Sequence, residues 1–365
     1  MKRVKVSIIT VVYNGAETIE QTIQSVIHQT YDNIEYIIID GASTDGTCDI
    51  VKKYKDEVKV FISEPDSGLY YAMNKGIHYA TGEIVGIINS DDLYSEDAVS
   101  KVVECFEKNE ADIVYGNAQW FDDDGIGTIY TCRNIESLWY QMSIPHPATF
   151  IKKEVYQTDG VFDTQYSLAA DYDLILRFYS KKKKFVYLDA VLTYFRKGGL
   201  SAKKESECME EAKKISLSYF SQSNNKERTL KKIEQYYYLR KFQLLYFNNE
   251  QSILDGIRKF LNNSMDKKEI VVFGTGKWGE RCFQMIHDSG RTVDFFVDNN
   301  SMKWGTKVLG IIVKEPSELI GYKGNILVAT YEYEEEIKNQ LNILDWRLQV
   351  YSLADLAERA VKNLD

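Results

Sequence analysis

Four prolines in 365 residues exclude a Pro-rich stalk or stiff linker and leave room for uninterrupted helices. Cysteine is almost as scarce. Cys48, Cys105, Cys132, Cys208 and Cys282 are odd in number, far apart and without a C-x-x-C pair, which excludes a disulfide framework and a structural zinc site and points to a reducing, cytoplasmic setting. No apolar run approaches the roughly 18 residues that cross a bilayer, so membrane contact is expected to be peripheral. Lys2, Arg3 and Lys5 precede an apolar stretch, but it is short and runs into Tyr13-Asn14-Gly15 with no small-residue cleavage site, unlike a signal peptide. Positive charge is not in excess either. Forty-five basic residues against 54 acidic give a net charge of −9, so the chain as a whole is no electrostatic trap for nucleic acid. What remains is ordinary globular composition, 44% hydrophobic and 27% charged, with enough length for two domains at roughly 150 residues each.

The apolar pattern predicts an α/β fold. Residues 4–12 and 34–40 are β-branched apolar runs separated by a helical pattern with Ile19, Ile23, Val26 and Ile27 on one face, which reads as a βαβ unit. A helix near 44–54 and strands at 58–62 and 84–88 continue the alternation and predict a mostly parallel sheet covered on both faces. From residue 205 to 268 the strand signals stop and Lys and Glu multiply, which predicts a helical connector. A second βαβ system begins at residue 269. The expected domains are therefore 1–204, 205–268 and 269–365.

Carboxylates mark the places where open α/β sheets bind ligands, the carboxyl ends of strands. Asp40 ends the second strand and opens the small polar turn Gly41-Ala42-Ser43-Thr44-Asp45-Gly46-Thr47. Asp91 and Asp92 follow Ile87-Ile88-Asn89-Ser90, and Asp171 and Asp173 flank Tyr172 at the start of an amphipathic helix. Singly, each reads equally well as a cap, a solvated turn or a first-turn acid. Together they suit transfer from an activated nucleotide. A hard dication held by Asp91 and Asp92 meets diphosphate charge, Asp40 accepts a hydrogen bond from a base or ribose, and Asp171 remains to deprotonate an incoming hydroxyl.

Beyond these acids, the ordered motifs Ser7-Ile8-Ile9-Thr10-Val11-Val12-Tyr13-Asn14, Asp40 to Thr47, Asp66-Ser67-Gly68-Leu69-Tyr70, Ala72-Met73-Asn74-Lys75-Gly76, Asn89-Ser90-Asp91-Asp92 and Asp171-Tyr172-Asp173-Leu174 resemble those of family 2 inverting glycosyltransferases with the GT-A fold. The resemblance covers roughly residues 4–200. It implies a nucleotide-diphosphate sugar donor, foremost a UDP-sugar, a divalent metal (Mg2+ or Mn2+), and a one-step displacement that inverts the anomeric centre. It places Thr10, Tyr13 and Asp40 around the base, Asp66, Asn74 and Lys75 at the ribose or phosphates, Asp92 on the metal with Asp91 beside it, and Asp171 as the base. Two positions depart from the pattern: Ser90 stands first in the usual D-x-D triplet, and Tyr71 stands where Asp is common. The implied acceptor is a saccharide or lipid-linked saccharide in surface polysaccharide biosynthesis.

His146 lies between Pro145 and Pro147, and reads equally as a structural residue or as part of an acceptor or site loop. Arg177 reads as a phosphate contact or a structural ion pair. His28, His78 and His287 have no ligand partners at useful spacing. In the second half, Gly274, Gly276 and Gly279 follow a strand and open a helix, with Asp298 closing the next strand 24 residues after Gly274. That is the context of a dinucleotide-binding turn, or of glycines that merely let helix and strand pack closely. The segment resembles Rossmann-like accessory domains. Between residues 226 and 241, six basic residues interleave with Tyr236, Tyr237 and Tyr238, a composition that suits an anionic membrane surface or a packed strut. Two rival functions remain open at this point: a nucleotide-sugar epimerase or reductase using the second domain, and a non-catalytic nucleotide-sugar binding protein.

Overall fold

A strand covered on both faces reads as a near-continuous apolar run, and β1 (Val6–Val12) is buried along its whole length. With β2 (Ile34–Asp40), β3 (Val58–Ser63) and β4 (Ile84–Asn89) it forms a parallel array in the order β3-β2-β1-β4. The helices α1 (Ile19–Ile27), α2 (Thr47–Lys52) and α3 (Leu69–Tyr79) are the crossovers that parallel pairing needs. Alternate residues of β1 serve different cores. Ile9 and Val11 pack with Met73 and Ile77 of α3, whereas Ile8 and Val12 pack with Ile19 and Ile23 of α1. The computed structural model describes residues 3–122, 125–131, 134–248, 250–265, 269–331 and 333–362; Cys132 lies outside them, as do residues 266–268 of the expected connector.

Past β4 the sheet stops being parallel, which corrects the expectation of a mostly parallel layer. The remaining strands are β5 (Leu93–Tyr94), β6 (Ile113–Asp122), β7 (Gly125–Tyr130), β8 (Thr149–Lys152) and β9 (Phe185–Arg196). β8 runs antiparallel between β4 and β6, β9 is parallel to β6 and antiparallel to β5, and β7 folds back on β6. β6 and β7 are too close in sequence for a crossover, which needs a dozen or more residues, so they pair as a hairpin. Around this half lie α4 (Ala98–Lys108), α5 (Lys153–Asp159), α6 (Ala170–Ser180) and the short α7 (Leu200–Lys203).

The chain divides into two compact units, Met1–Ile233 and Glu234–Asp365, so the expected connector is shared out rather than independent. Ile215 of α8 (Glu205–Tyr219) is buried in the first unit's core. Leu239 and Phe242 of α9 (Lys226–Phe247), with Ile253, Ile257 and Phe260 of α10 (Gln251–Asn263), are buried in the second. An amphipathic helix buries its apolar stripe against whichever core receives it. The α9 tyrosines follow the same rule: Tyr237 is buried, Tyr236 packs on Tyr331, and Lys362 lies over Tyr238.

The second unit is a smaller α/β sheet. Its strands β10 (Ile270–Phe273), β11 (Val293–Val297), β12 (Lys307–Val308), β13 (Ile311–Lys314), β14 (Asn325–Val328) and β15 (Gln349–Ser352) take the order β12-β13-β11-β10-β14-β15, parallel apart from the β12–β13 hairpin. Helices α11 (Lys277–Asp288) and α13 (Leu353–Lys362) share one core with α10, while α12 (Glu334–Leu344) packs in the core of the opposite face.

Candidate active site

The loops that leave β1 and β2 are laced together. Asn14 sits at a φ of 50°, a left-handed conformation that asparagine tolerates better than most residues. Its N–H donates to Ser43 Oγ at 2.7 Å and its Oδ1 accepts from Thr44 N–H at 2.9 Å. Ala16 and Gly15 donate in turn to Asp45 and Thr47. This lacing holds Tyr13 at 69% exposure above Gly41. A Cβ on Gly41 would come within 3.1 Å of Asp66 Oδ2 and 3.2 Å of the Tyr13 ring. The glycine is what lets an exposed aromatic ring and a carboxylate converge.

Three residues that the resemblance assigns to the donor have other tasks in the fold. Thr10 is wholly buried, its hydroxyl 3.1 Å from that of Tyr36. Asn74 gives its amide to one partner, donating to Phe162 O at 2.9 Å and accepting from Phe162 N–H at 3.0 Å. Asp40, also wholly buried, accepts from Ser43 N–H and Oγ, from Ser63 Oγ and from Cys48 Sγ. Those hydrogen bonds hold its carboxyl below the ordinary value despite burial. Lys75 pairs with Glu64 at 2.6 Å, and Asp66 Oδ1 accepts from Gly68 N–H at 2.9 Å.

At the end of β4, Asp91 is partly exposed, whereas Asp92 is 1% exposed. Asp92 accepts from Arg196 N–H at 3.1 Å and from Asn89 Nδ2 at 3.2 Å. Desolvation, with the Asp91 charge added, pushes its carboxyl up to about 8, and burial also raises that of Asp91. Asn89 Oδ1 is buried without a hydrogen-bond partner. Arg196, at the end of β9, reaches the same place: Nε donates to Asp91 O at 3.4 Å and Nη2 to Gln21 Oε1 at 3.2 Å, with the guanidinium over Phe121. No motif reading singled out Arg196. The only signal was a pair of cations, Arg196 and Lys197, closing an apolar run.

Asp171 occupies the first turn of α6. Its Oδ1 accepts from Tyr70 O–H at 3.1 Å and from Tyr172 N–H at 2.9 Å. Tyr70 belongs to the quoted Asp66–Tyr70 motif, yet its contact lies 101 residues away and could not be read locally. Asp171 opens onto a cavity of about 240 Å3 that Asn89, His146, Trp120 and Phe195 also line. His146 is 8% exposed, and burial lowers its pKa against the opposing charge of Asp171. Phe162, the loop residue clamped by Asn74, packs on Tyr70 at 5.3 Å and on His146 at 5.5 Å. Asp173 faces elsewhere, toward Arg177 at 3.6 Å and the Tyr219 hydroxyl at 3.1 Å. Arg177 also donates to Val161 O, so it serves the fold.

In the second unit, Gly274 has a φ of 109°, and a Cβ on Gly279 would lie 2.1 Å from Gly274 O; this glycine is needed for close packing. Nothing lies within 4 Å of a Cβ on Gly276. Asp298 accepts from Thr275 N–H and Oγ1, from Lys303 Nζ at 3.0 Å and from Asn300 N–H at 2.9 Å. A ribose at this carboxylate would have to displace those donors. Cys48, Cys105, Cys208 and Cys282 are unpaired, and no cluster of three or more His, Cys, Asp or Glu suited to a metal occurs among the described residues.

Both parts of the chain have known relatives. Residues 7–162 match glycosyl transferase family 2, and residues 265–348 match a family described as C2185-like, N-terminal. A Mycobacterium tuberculosis protein named "Uncharacterized glycosyltransferase" is 31% identical over 181 residues, covering 47% of this chain and 68% of the relative. A "PGL/p-HBAD biosynthesis glycosyltransferase" of the same species is 29% identical over 209 residues, covering 53% and 78%. Among solved structures, S. aureus TarS 1-349 in complex with UDP-GlcNAc superposes with a TM-score of 0.53 at 17% identity, covering 66% of this chain and 73% of that TarS fragment. The GT-A-like sheet agrees with these matches, and the chain belongs to glycosyl transferase family 2.

Proposed function

We propose that this protein is an inverting, metal-dependent glycosyltransferase. It moves a sugar from a nucleotide-diphosphate donor, a UDP-sugar in the first instance, to a hydroxyl of a saccharide or lipid-linked saccharide in surface polysaccharide biosynthesis. One observation carries the reading: Asp171, with both its hydrogen-bond donors on Oδ1, shares a cavity with Asn89 of the strand end that bears Asp91 and Asp92. TarS, which shares the fold, has been solved with UDP-GlcNAc and with UDP, and the same donor class suits the exposed Tyr13 beside Asp66. Family membership favours glycosyl transfer over the epimerase, reductase and binding-protein alternatives. The cytoplasm, or the cytoplasmic face of a membrane, is the setting proposed; among the described residues no helix is long and apolar enough to cross one. The second unit we read as a Rossmann-like accessory domain.

The residues at the end of β4 fit a hard dication. Asp92 is buried beside a second carboxylate, and Asn89 Oδ1 lacks a donor; a cation relieves both. Asp91 and Asp92 would hold Mg2+ or Mn2+, with diphosphate and water completing an oxygen shell. Bound there, the metal supplies counter-charge to the leaving diphosphate. The protein's own groups do the rest. Arg196 adds fixed positive charge beside Asp91, Tyr70 and Tyr172 orient Asp171, and Asp171 Oδ2 takes the acceptor proton as the acceptor oxygen bonds to the anomeric carbon and the carbon–diphosphate bond breaks. A single displacement needs no protein nucleophile. NMR of the product tests this: the anomeric configuration is expected to be opposite to the donor's, and retention overturns the mechanism.

A further inference from the structure

Asp171 stands at a helix start that cannot cap itself. α6 has Ala169 at its N-cap and Tyr172 at its third helical position, so it lacks both halves of a capping box, the hydroxyl of the first position and the carboxylate or amide of the second. The cap comes instead from α8. Glu211 Oε1 accepts from Ser167 N–H at 3.0 Å and from the Ser167 hydroxyl at 2.9 Å, while Oε2 accepts from Leu168 N–H at 2.8 Å and Ala169 N–H at 3.0 Å. Leu168 and Ala169 are buried, so their N–H groups have no ready substitute in solvent. Burial pushes the Glu211 carboxyl up, but the hydrogen bonds from Leu168, Ser167 and Ala169 outweigh it and hold the pKa below the ordinary value. The cap is therefore an anion at the positive end of the helix.

The grip continues along α8. Cys208 Sγ donates to Leu168 O at 3.7 Å, Ser216 Oγ lies 2.8 Å from the Tyr172 hydroxyl, and Tyr219 O–H donates to Asp173 Oδ1 at 3.1 Å. These contacts surround Asp171, yet its own hydrogen bonds come only from Tyr70 and Tyr172, both on Oδ1. The two acids of this first turn would respond differently to loss of the cap. Asp173 is held by Arg177 and Tyr219, whereas Asp171 Oδ2 has no donor among the described residues. Backbone N–H groups deprived of Glu211 would draw on that free oxygen, because a carboxylate in the first turn is the natural acceptor for them. α8 lies past residues 7–162, which match the family, and past the resemblance that ends near residue 200, so neither gives it a task.

We propose that Glu211 is the positioning residue of the base: on the glycosyl-transfer reading given above, it caps α6 from outside, so that Asp171 does not have to, and so keeps Asp171 Oδ2 free to take a proton. Glu211 acts through α6 and takes no proton itself, since both its oxygens are engaged by the 167–169 segment. The apparatus for the chemical step then extends into α8, beyond the domain boundary expected at residue 204.

The test changes the nucleophile in the full chain, with Mg2+ and UDP-glucose, UDP-galactose or UDP-GlcNAc as donor. Water gives a proton to Asp171 as its oxygen bonds to the anomeric carbon; azide bonds through nitrogen and has no proton to give. In both reactions the carbon–diphosphate bond breaks and UDP leaves. Glu211→Ala is expected to slow hydrolysis about 10- to 100-fold, the range for a group misplaced by about 1 Å. Glycosyl azide formation should change less than about twofold, because azide needs no base. Glu211→Gln, which keeps one acceptor oxygen, should recover part of the loss. Tyr219→Phe should lower the melting temperature and leave the ratio of the two reactions unchanged. UDP affinity by calorimetry should hold within about twofold in every variant. Hydrogen exchange reads the cap without turnover: amides 167–173 should lose protection in Glu211→Ala while β1 and α3 keep theirs. Parallel loss of both reactions, an unchanged hydrolysis rate, or unchanged exchange at 167–173 would overturn the proposal. Where UDP binds and none of the donors is turned over, the exchange result decides alone. Failure of the wild type to bind UDP would instead overturn the donor reading, and the roles of Asp171 and Glu211 with it.

Discussion

Each unit closes its second parallel strand with an aspartate, Asp40 in the first and Asp298 in the second, and the fold answers each with its own donors. Asp40 is held by Ser43, Ser63 and Cys48, and Asp298 by Thr275, Asn300 and Lys303. The difference lies around them. Near Asp40 stand an exposed tyrosine and Asp66, and the same unit carries Asp91 and Asp92, which share the charge of Arg196, and Asp171, which accepts from Tyr70 and Tyr172 and opens onto a cavity. Near Asp298 an internal lysine already supplies the counter-charge. A strand-end acid is thus a weak sign of a site by itself, and a carboxylate that opens onto a cavity, as Asp171 does, is a stronger one.

The largest effect expected from that contrast is at the base. Asp171→Asn keeps the shape and the Tyr70 contact but removes the proton acceptor, and transfer with saturating donor should fall by roughly 10² or more while donor affinity changes only a few fold. Asp173→Asn is the counterpart. Its carboxylate is engaged by Arg177 and Tyr219, so it should lower the melting temperature and largely spare transfer. Equal rates for wild type and Asp171→Asn would end the assignment.

Glu35 sharpens the opposite pole of the comparison, a carboxylate fully engaged by the fold. It accepts from Lys5, Ser7 and Thr81, and these bonds bring its pKa from 4.5 down to about 2 in spite of burial. The folded value lies below the unfolded one, so its stabilisation is complete above about pH 4.5 and is lost as pH falls toward 2. At about 1.4 kcal/mol per unit, up to about 3 kcal/mol is involved. Glu35→Gln should flatten the acid limb of the stability curve, and an unchanged limb would count against the role.

Removal of counter-charge comes next in size. EDTA, or Asp92→Ala, should weaken UDP binding by calorimetry roughly tenfold, because contacts to a charged group are worth about 1.5–3 kcal/mol. Normal UDP binding by Asp92→Ala would remove the metal from that place. Smallest is Asp298→Asn in the full chain: transfer should stay within about twofold and the melting temperature should drop by a few degrees, the signature of a lost internal hydrogen-bond set. Activity that depends on Asp298 would dissolve the contrast between the units.

Much of the first unit's architecture was legible because its signals are short-range. β1, β2, β3 and β4 fall where apolar β-branched runs predict them, as does β10 in the second unit, and the turn of Asp40 to Thr47 declares itself by small polar residues. The antiparallel half was not legible. β6 and β9 carry Gly116, Asn117, Asp189 and Thr193 within them, which blur the alternation, and their pairing is with each other across some 70 residues. Nor could motif order show that Thr10 and Asn74 face inward to Tyr36 and Phe162.

Sequence alone determined the α/β class, the family resemblance and the set of acids, since periodicity, turn chemistry and motif order are properties of neighbouring residues. Tertiary structure decided which of those acids stay available. Asp92 meets Arg196 across 104 residues and Asp171 meets Tyr70 across 101. Whether a carboxylate is answered or left waiting depends on donors that only folding brings within about 3 Å, and no local pattern encodes them.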